Sequence, residues 1–124
     1  MLMRFSHCAL IVNDMDESLN FYQEIVGLKL EQRFMVEPEV ELSILGEEET
    51  KIELIHHKNK AQIAGHGEGI TIGFQVRSIE EMYTFVKDKG LKPTEIFQPV
   101  PDVRFFYVQD PNGYNVEFIE FGPT

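Results

Sequence analysis

One structural unit occurs twice in this chain, and that duplication limits the possible folds more than any other feature. The run His7-Cys8-Ala9-Leu10-Ile11-Val12 is matched by Thr71-Ile72-Gly73-Phe74-Gln75-Val76, an offset of 64 (71 − 7). Lys51-Ile52-Glu53-Leu54-Ile55 is matched by Asn115-Val116-Glu117-Phe118-Ile119, again at 64 (117 − 53). Between them Gly27-Leu28-Lys29 corresponds to Gly90-Leu91-Lys92 at 63 (90 − 27), a one-residue slip that belongs in a loop. The repeat therefore pairs His7 with Thr71 and Glu53 with Glu117.

Each copy reads as β-α-β-β-β. Residues 5–12 alternate and are rich in apolar types, the pattern of a strand. Asn13-Asp14-Met15-Asp16-Glu17 supplies N-cap candidates and first-turn acids for a helix. Leu19, Tyr22, Ile25 and Val26 recur at helical spacing and define its expected buried face. Gly27 is the expected stop, because glycine enters the left-handed conformation cheaply. Strands are expected at 28–35, 40–45 and 51–57, and a polar linker at 58–69. The second copy begins with a strand at 70–76. Ser78-Ile79-Glu80-Glu81 resembles a capping box opening a helix, with Met82, Phe85 and Val86 on its expected buried face. Gly90 ends that helix and Pro93 forbids its resumption. Strands are expected at 103–109 and 114–121 around the turn Asp110-Pro111-Asn112-Gly113. A further strand is expected near 94–97. The architecture is α+β, one domain over 1–124, with units 1–57 and 70–122 forming curled mixed sheets around a shared cleft.

Strand alternation assigns faces. His7, Ala9 and Ile11 share one. So do Glu53, Ile55 and His57, then Thr71, Gly73 and Gln75, then Glu117, Ile119 and Phe121. A carboxylate on an otherwise apolar strand is costly to bury unless a cation, metal or proton accompanies it. Glu53 and Glu117 are both in that position, flanked by Ile52-Leu54 and Val116-Phe118. By the same parity Glu120 is expected to face out and Cys8 to pack beneath the helices. His56 and His66 read as surface residues, and Glu47-Glu48-Glu49 as a solvated turn. Arg104 and Phe106 are expected to join Gln75 in lining a pocket.

The bulk properties narrow the function. A hydrophobic share of 43% excludes a disordered chain. No apolar run approaches the roughly 18 residues of a membrane span, and no secretory leader is expected. The formal charge of −10 argues against nucleic acid. A lone cysteine, Cys8, rules out an internal disulfide framework and fits a cytoplasmic protein.

Three segments carry a family resemblance: Phe5-Ser6-His7-Cys8-Ala9-Leu10-Ile11-Val12, Phe21-Tyr22-Gln23-Glu24-Ile25-Val26-Gly27-Leu28, and Asp110-Pro111-Asn112-Gly113-Tyr114-Asn115-Val116-Glu117-Phe118-Ile119-Glu120. In this order, within paired βαβββ units, they resemble the glyoxalase / bleomycin resistance / dioxygenase superfamily, the vicinal oxygen chelate proteins. The nearest likeness is to small bacterial lactoylglutathione lyase-like chains. The resemblance implies His7, Glu53 and Glu117 as metal ligands, with Thr71 standing where a second histidine is usual. One imidazole and two carboxylates suit Mn, Mg or Fe, with Zn and Ni also admitted. The resemblance implies Glu117 as the catalytic group, moving a proton on a small carbonyl or thiol-conjugate substrate through a metal-stabilised enediolate. Thr71, Gln75, Arg104 and Phe106 are the expected substrate contacts, and a homodimer the expected assembly. The alternative is a metal-free small-molecule or antibiotic-binding protein of the bleomycin-resistance type.

Overall fold

The computed structural model describes residues 2–48, 50–60 and 67–122. Glu49 and His66 lie outside the described residues. The chain divides into two compact units, Met1–Ala64 and Gly65–Thr124.

In the first unit β1 (His7–Ile11) is followed by helix α1 (Met15–Asn20), a π-helical turn (Phe21–Ile25), β2 (Leu30–Glu37), β3 (Val40–Leu45) and β4 (Lys51–His57). Its four-stranded sheet runs β1-β4-β3-β2, with β1 parallel to β4 and the other pairs antiparallel. The second unit repeats the order: β5 (Thr71–Gln75), α2 (Ile79–Asp88), β6 (Phe97–Val100), β7 (Val103–Gln109) and β8 (Asn115–Phe121). Its sheet runs β5-β8-β7-β6 with the same pattern of directions. The α+β class and the two mixed sheets are as expected.

Each helix covers one face of its own sheet. Asp14 caps α1 by accepting from the Glu17 amide at 2.8 Å, and Ser78 caps α2 by accepting from the Glu81 amide at 3.2 Å. Gly27 and Gly90, each at φ +86°, take the left-handed turn after the helices. Under α1 lie Leu10, Leu45, Ile52 and Leu54, and under α2 lie Phe106, Val108, Val116 and Phe118, all buried. At about 25 cal/mol per Å² of apolar surface, this layer is the main favourable term in each unit.

Three expectations move. The π turn inserts extra chain per turn and rotates the first helix. Met15, Ser18, Leu19, Phe21 and Tyr22 become the buried set, and Ile25 and Val26 are only half-buried. In α2 the buried residues are Ile79 and Val86, Met82 and Tyr83 are half-buried, with Tyr83 stacked edge-on against Phe106 at 5.2 Å, and Phe85 is 36% exposed. The strand expected near 94–97 starts instead at Phe97 and carries Pro99. It is an edge strand, where proline's missing N–H is tolerated.

His56 does not stand clear of the protein as expected. Its Nδ1 is buried and has no hydrogen-bond partner among the described residues. Removing an unsatisfied polar atom is neutral or favourable, so His56→Leu should change unfolding free energy by no more than about 1 kcal/mol on the destabilising side. A larger loss in urea unfolding would show that this imidazole is satisfied.

Candidate functional site

The faces away from the helices carry the chemistry. In the first unit Ala9 lies opposite Glu53 across the parallel β1–β4 pair, and His7 Nε2 approaches Glu53 Oε2 at 3.5 Å. Ser6 Oγ and His7 Nδ1 share a hydrogen bond of 2.8 Å. With Nδ1 donating, Nε2 keeps its lone pair toward Glu53, the tautomer a metal ligand requires. His7 is 41% exposed at its side chain and Glu53 19%, so both are reachable from solvent. Two ligands about 2.0–2.2 Å from one ion at tetrahedral or octahedral angles are separated by about 3.0–3.5 Å. The His7–Glu53 pair fits two adjacent coordination positions.

In the second unit Gly73 takes the place of Ala9, opposite Glu117. A Cβ at Gly73 would sit 3.2 Å from Glu117 Oε1, so the missing side chain leaves space beside this carboxylate. Glycine in a strand often marks such a close approach. Thr71 and Gln75 flank Gly73 on the same face, with Asn115 and Ile119 as their register partners. Across β8, Tyr107 pairs with Glu117 and Phe105 with Ile119. Phe97, Phe105 and Tyr107 form an aromatic group with centroids 5.5–6.4 Å apart.

Among the described residues no three His, Cys, Asp or Glu groups come together closely enough to hold a metal ion. Taken by itself, the first unit offers an imidazole and a carboxylate, and the second a carboxylate with a hydroxyl two register positions away on the same face.

Arg104 and Phe106 do not share the face of Gln75, and Glu120, off-parity from Glu117 as expected, is not exposed. Arg104 pairs in register with Glu120, and Phe106 with Phe118, on the helix-facing side. Phe106 is fully buried. Glu120, expected outside, is 8% exposed and accepts from the Ile79 amide at 2.8 Å. Arg104 Nη2 donates to Glu120 Oε2 at 2.9 Å, and its other nitrogen donates to Glu80 on α2. These groups lock the start of α2 to the sheet. The first unit does the same with different residues: Arg33 from β2 bridges Asp16 on α1 at 2.9 Å and Glu41 on β3 at 2.6 Å. The available signal was the hairpin itself. Pairing Gln109 with Asn115 across the Asp110–Gly113 turn puts Tyr107, not Phe106, beside Glu117.

The Ile79 amide and then the Arg104 guanidinium hold the Glu120 carboxyl below its ordinary value of 4.5, and Arg104 acts first on Glu80 in the same direction. A depressed carboxylate stabilises the fold above the unfolded value, and that contribution is lost as pH falls through the folded value. Melting temperature should therefore fall as pH drops below about 4.5. In Glu120→Gln that acid-dependent part should shrink, while an amide oxygen still accepts from Ile79. Identical melting-temperature slopes between the two proteins in acid would refute this role.

The family comparison agrees with the fold. The model of the Glyoxalase/Bleomycin resistance protein/Dioxygenase superfamily matches residues 4–118, and the chain belongs to that superfamily. It is 31% identical to the uncharacterized protein YwbC of Bacillus subtilis, covering 97% of this chain and 99% of that one. It is 29% identical to a lactoylglutathione lyase of Haemophilus influenzae, covering 95% and 93%. Its fold matches a glyoxalase family protein of Bacillus cereus at TM-score 0.84 with 23% identity, over 99% of this chain and 97% of the other. Leishmania major glyoxalase I matches at 0.83 and 23%, over 96% and 87%. No helix is long and apolar enough to cross a membrane among the described residues.

Proposed function

We propose that the chain is a metal-dependent lyase or isomerase acting on a small carbonyl or thiol-conjugate substrate, the hemithioacetal of methylglyoxal being the first to test. The observation that carries this reading is the His7–Glu53 pair, held at ligand-like separation on a solvent-reachable strand face. Relatives named lactoylglutathione lyase support the reaction class. His7, Glu53 and Glu117 are the proposed ligands of a divalent ion, and their donor set favours Mn, Mg or Fe over Zn or Ni. Such an ion, when bound, polarises the substrate carbonyl as a Lewis acid. Glu117 takes a proton from the carbon next to that carbonyl and returns it to the neighbouring carbon, so substrate and product are isomers. The space over Gly73 lets the reacting carbon approach Glu117. Thr71 and Gln75 orient the substrate by hydrogen bonding, and Phe97, Phe105 and Tyr107 supply an apolar wall. The same reading has both units act as one domain in a cytoplasmic homodimer.

One observation favours a second reading, a metal-free binding protein. Thr71 presents a hydroxyl, a weak ligand at neutral pH, where the family resemblance implies a second imidazole. Elemental analysis after chelator-free purification, with hemithioacetal turnover by apo, Mn, Ni and Zn protein, separates the two. Stoichiometric metal with turnover supports the enzyme. Protein inert in every form, with no metal affinity, supports the binder.

A further inference from the structure

A pocket of about 350 Å³ in the second unit is lined by Lys92, Thr94, Tyr107, Val108, Gln109 and Asn115. Its lining runs against the acidic balance of the chain as a whole. The sequence has 21 acidic residues and 11 lysines and arginines, yet the lining holds one cation and no carboxylate. The hydroxyl of Thr94 is already engaged, donating to the Glu95 carbonyl and accepting from the Tyr107 amide. Among the described residues, the ammonium of Lys92, the phenol of Tyr107 and the side-chain amides of Gln109 and Asn115 make no hydrogen bond or ion pair. Lys87 and Lys89 rest over the rings of Tyr83 and Phe85, and Arg104 is held by Glu80 and Glu120. Lys92 is committed to none of these.

The pocket adjoins the proposed catalytic carboxylate along the sheet. Tyr107 is the register partner of Glu117, and Asn115 precedes it by two residues on the same face. Two strand residues span about 6.6 Å, the length of a short carbon chain. Resting on the catalytic reading above, we infer that this pocket binds a carboxylate carried by the substrate, a few bonds from the carbon presented to Glu117. One cation with neutral donors matches one carboxylate group at a time. A phosphate dianion would call for further cations or a nest of backbone amides, and the lining has one cation.

The test uses the full chain and glutarate as probe, with inorganic phosphate and neutral glutaramide as the other arms, followed by amide chemical shifts. Glutarate should shift residues 92, 94, 107, 109 and 115, and glutaramide should not. Lys92→Met should weaken glutarate binding about tenfold through loss of a charge-assisted hydrogen bond, and Lys92→Arg should largely restore it. Phosphate binding at least as tightly as glutarate, glutarate shifts unaffected by Lys92→Met, or shifts absent from these residues would each overturn the assignment. Glutarate binding here, with no turnover by any metal-loaded form, would leave the pocket standing and remove only the catalytic reading.

Discussion

Glu117→Gln should lower turnover of the hemithioacetal by about 10²–10⁴, the usual contribution of a positioned general base. The substitution keeps the shape and removes the ability to accept a proton. Its bound metal should fall as well, since an amide oxygen is a poorer ligand than a carboxylate. Stability should change little, because Glu117 lies on the half-exposed face and not under α2. That combination identifies a working group and not a structural one. Gly73→Ala is the companion measurement. A methyl 3.2 Å from Oε1 must displace the carboxylate or itself, so activity should drop while the fold survives. A Glu117→Gln protein that keeps more than about a tenth of wild-type turnover would remove Glu117 from the proton transfer.

Much of this arrangement is written in the repeat. An offset of 64 aligns both His7 with Thr71 and Glu53 with Glu117, and strand periodicity puts each on the face away from its helix. Strands β3, β4 and β7 fall at the expected residues because clean alternation and flanking turns agree there. What could not be read is what depends on partners distant in sequence. Glu120 follows the parity rule and lies opposite Glu117's face, but that face is covered by α2, so the residue is inside the protein. Nothing local to Glu120 announces that Ile79 and Arg104 await it. The π turn after Asn20 likewise changes which residues the first helix buries, and ideal helical spacing does not foresee it. Gly73 is legible only once its partner is known: it reads as a weak point in a strand until Glu117 is seen opposite.

Phe106→Ala should cost about 3–5 kcal/mol of unfolding free energy and lower the melting temperature by more than about 10 °C. The ring is fully buried. It meets Tyr83 on α2 edge-on at 5.2 Å and Phe118 on β8 at 5.6 Å, so it joins the helix to the sheet. Truncation removes its transfer free energy and leaves a void that two rigid aromatic neighbours fill poorly. Urea unfolding measures this directly, and an unchanged slope would confirm a native-state effect. Phe105, one residue earlier, points to the other face and touches Phe97 and Tyr107. Its ring is only half-buried, so Phe105→Ala should cost clearly less stability and instead weaken substrate binding. A residue-by-residue alternation in phenotype along β7, stability at Phe106 and ligand at Phe105, is what a sheet with one packed and one working face requires. Equal destabilisation by the two substitutions would mean that Phe105 also belongs to the core, and the aromatic wall assigned to the substrate would have to be given up.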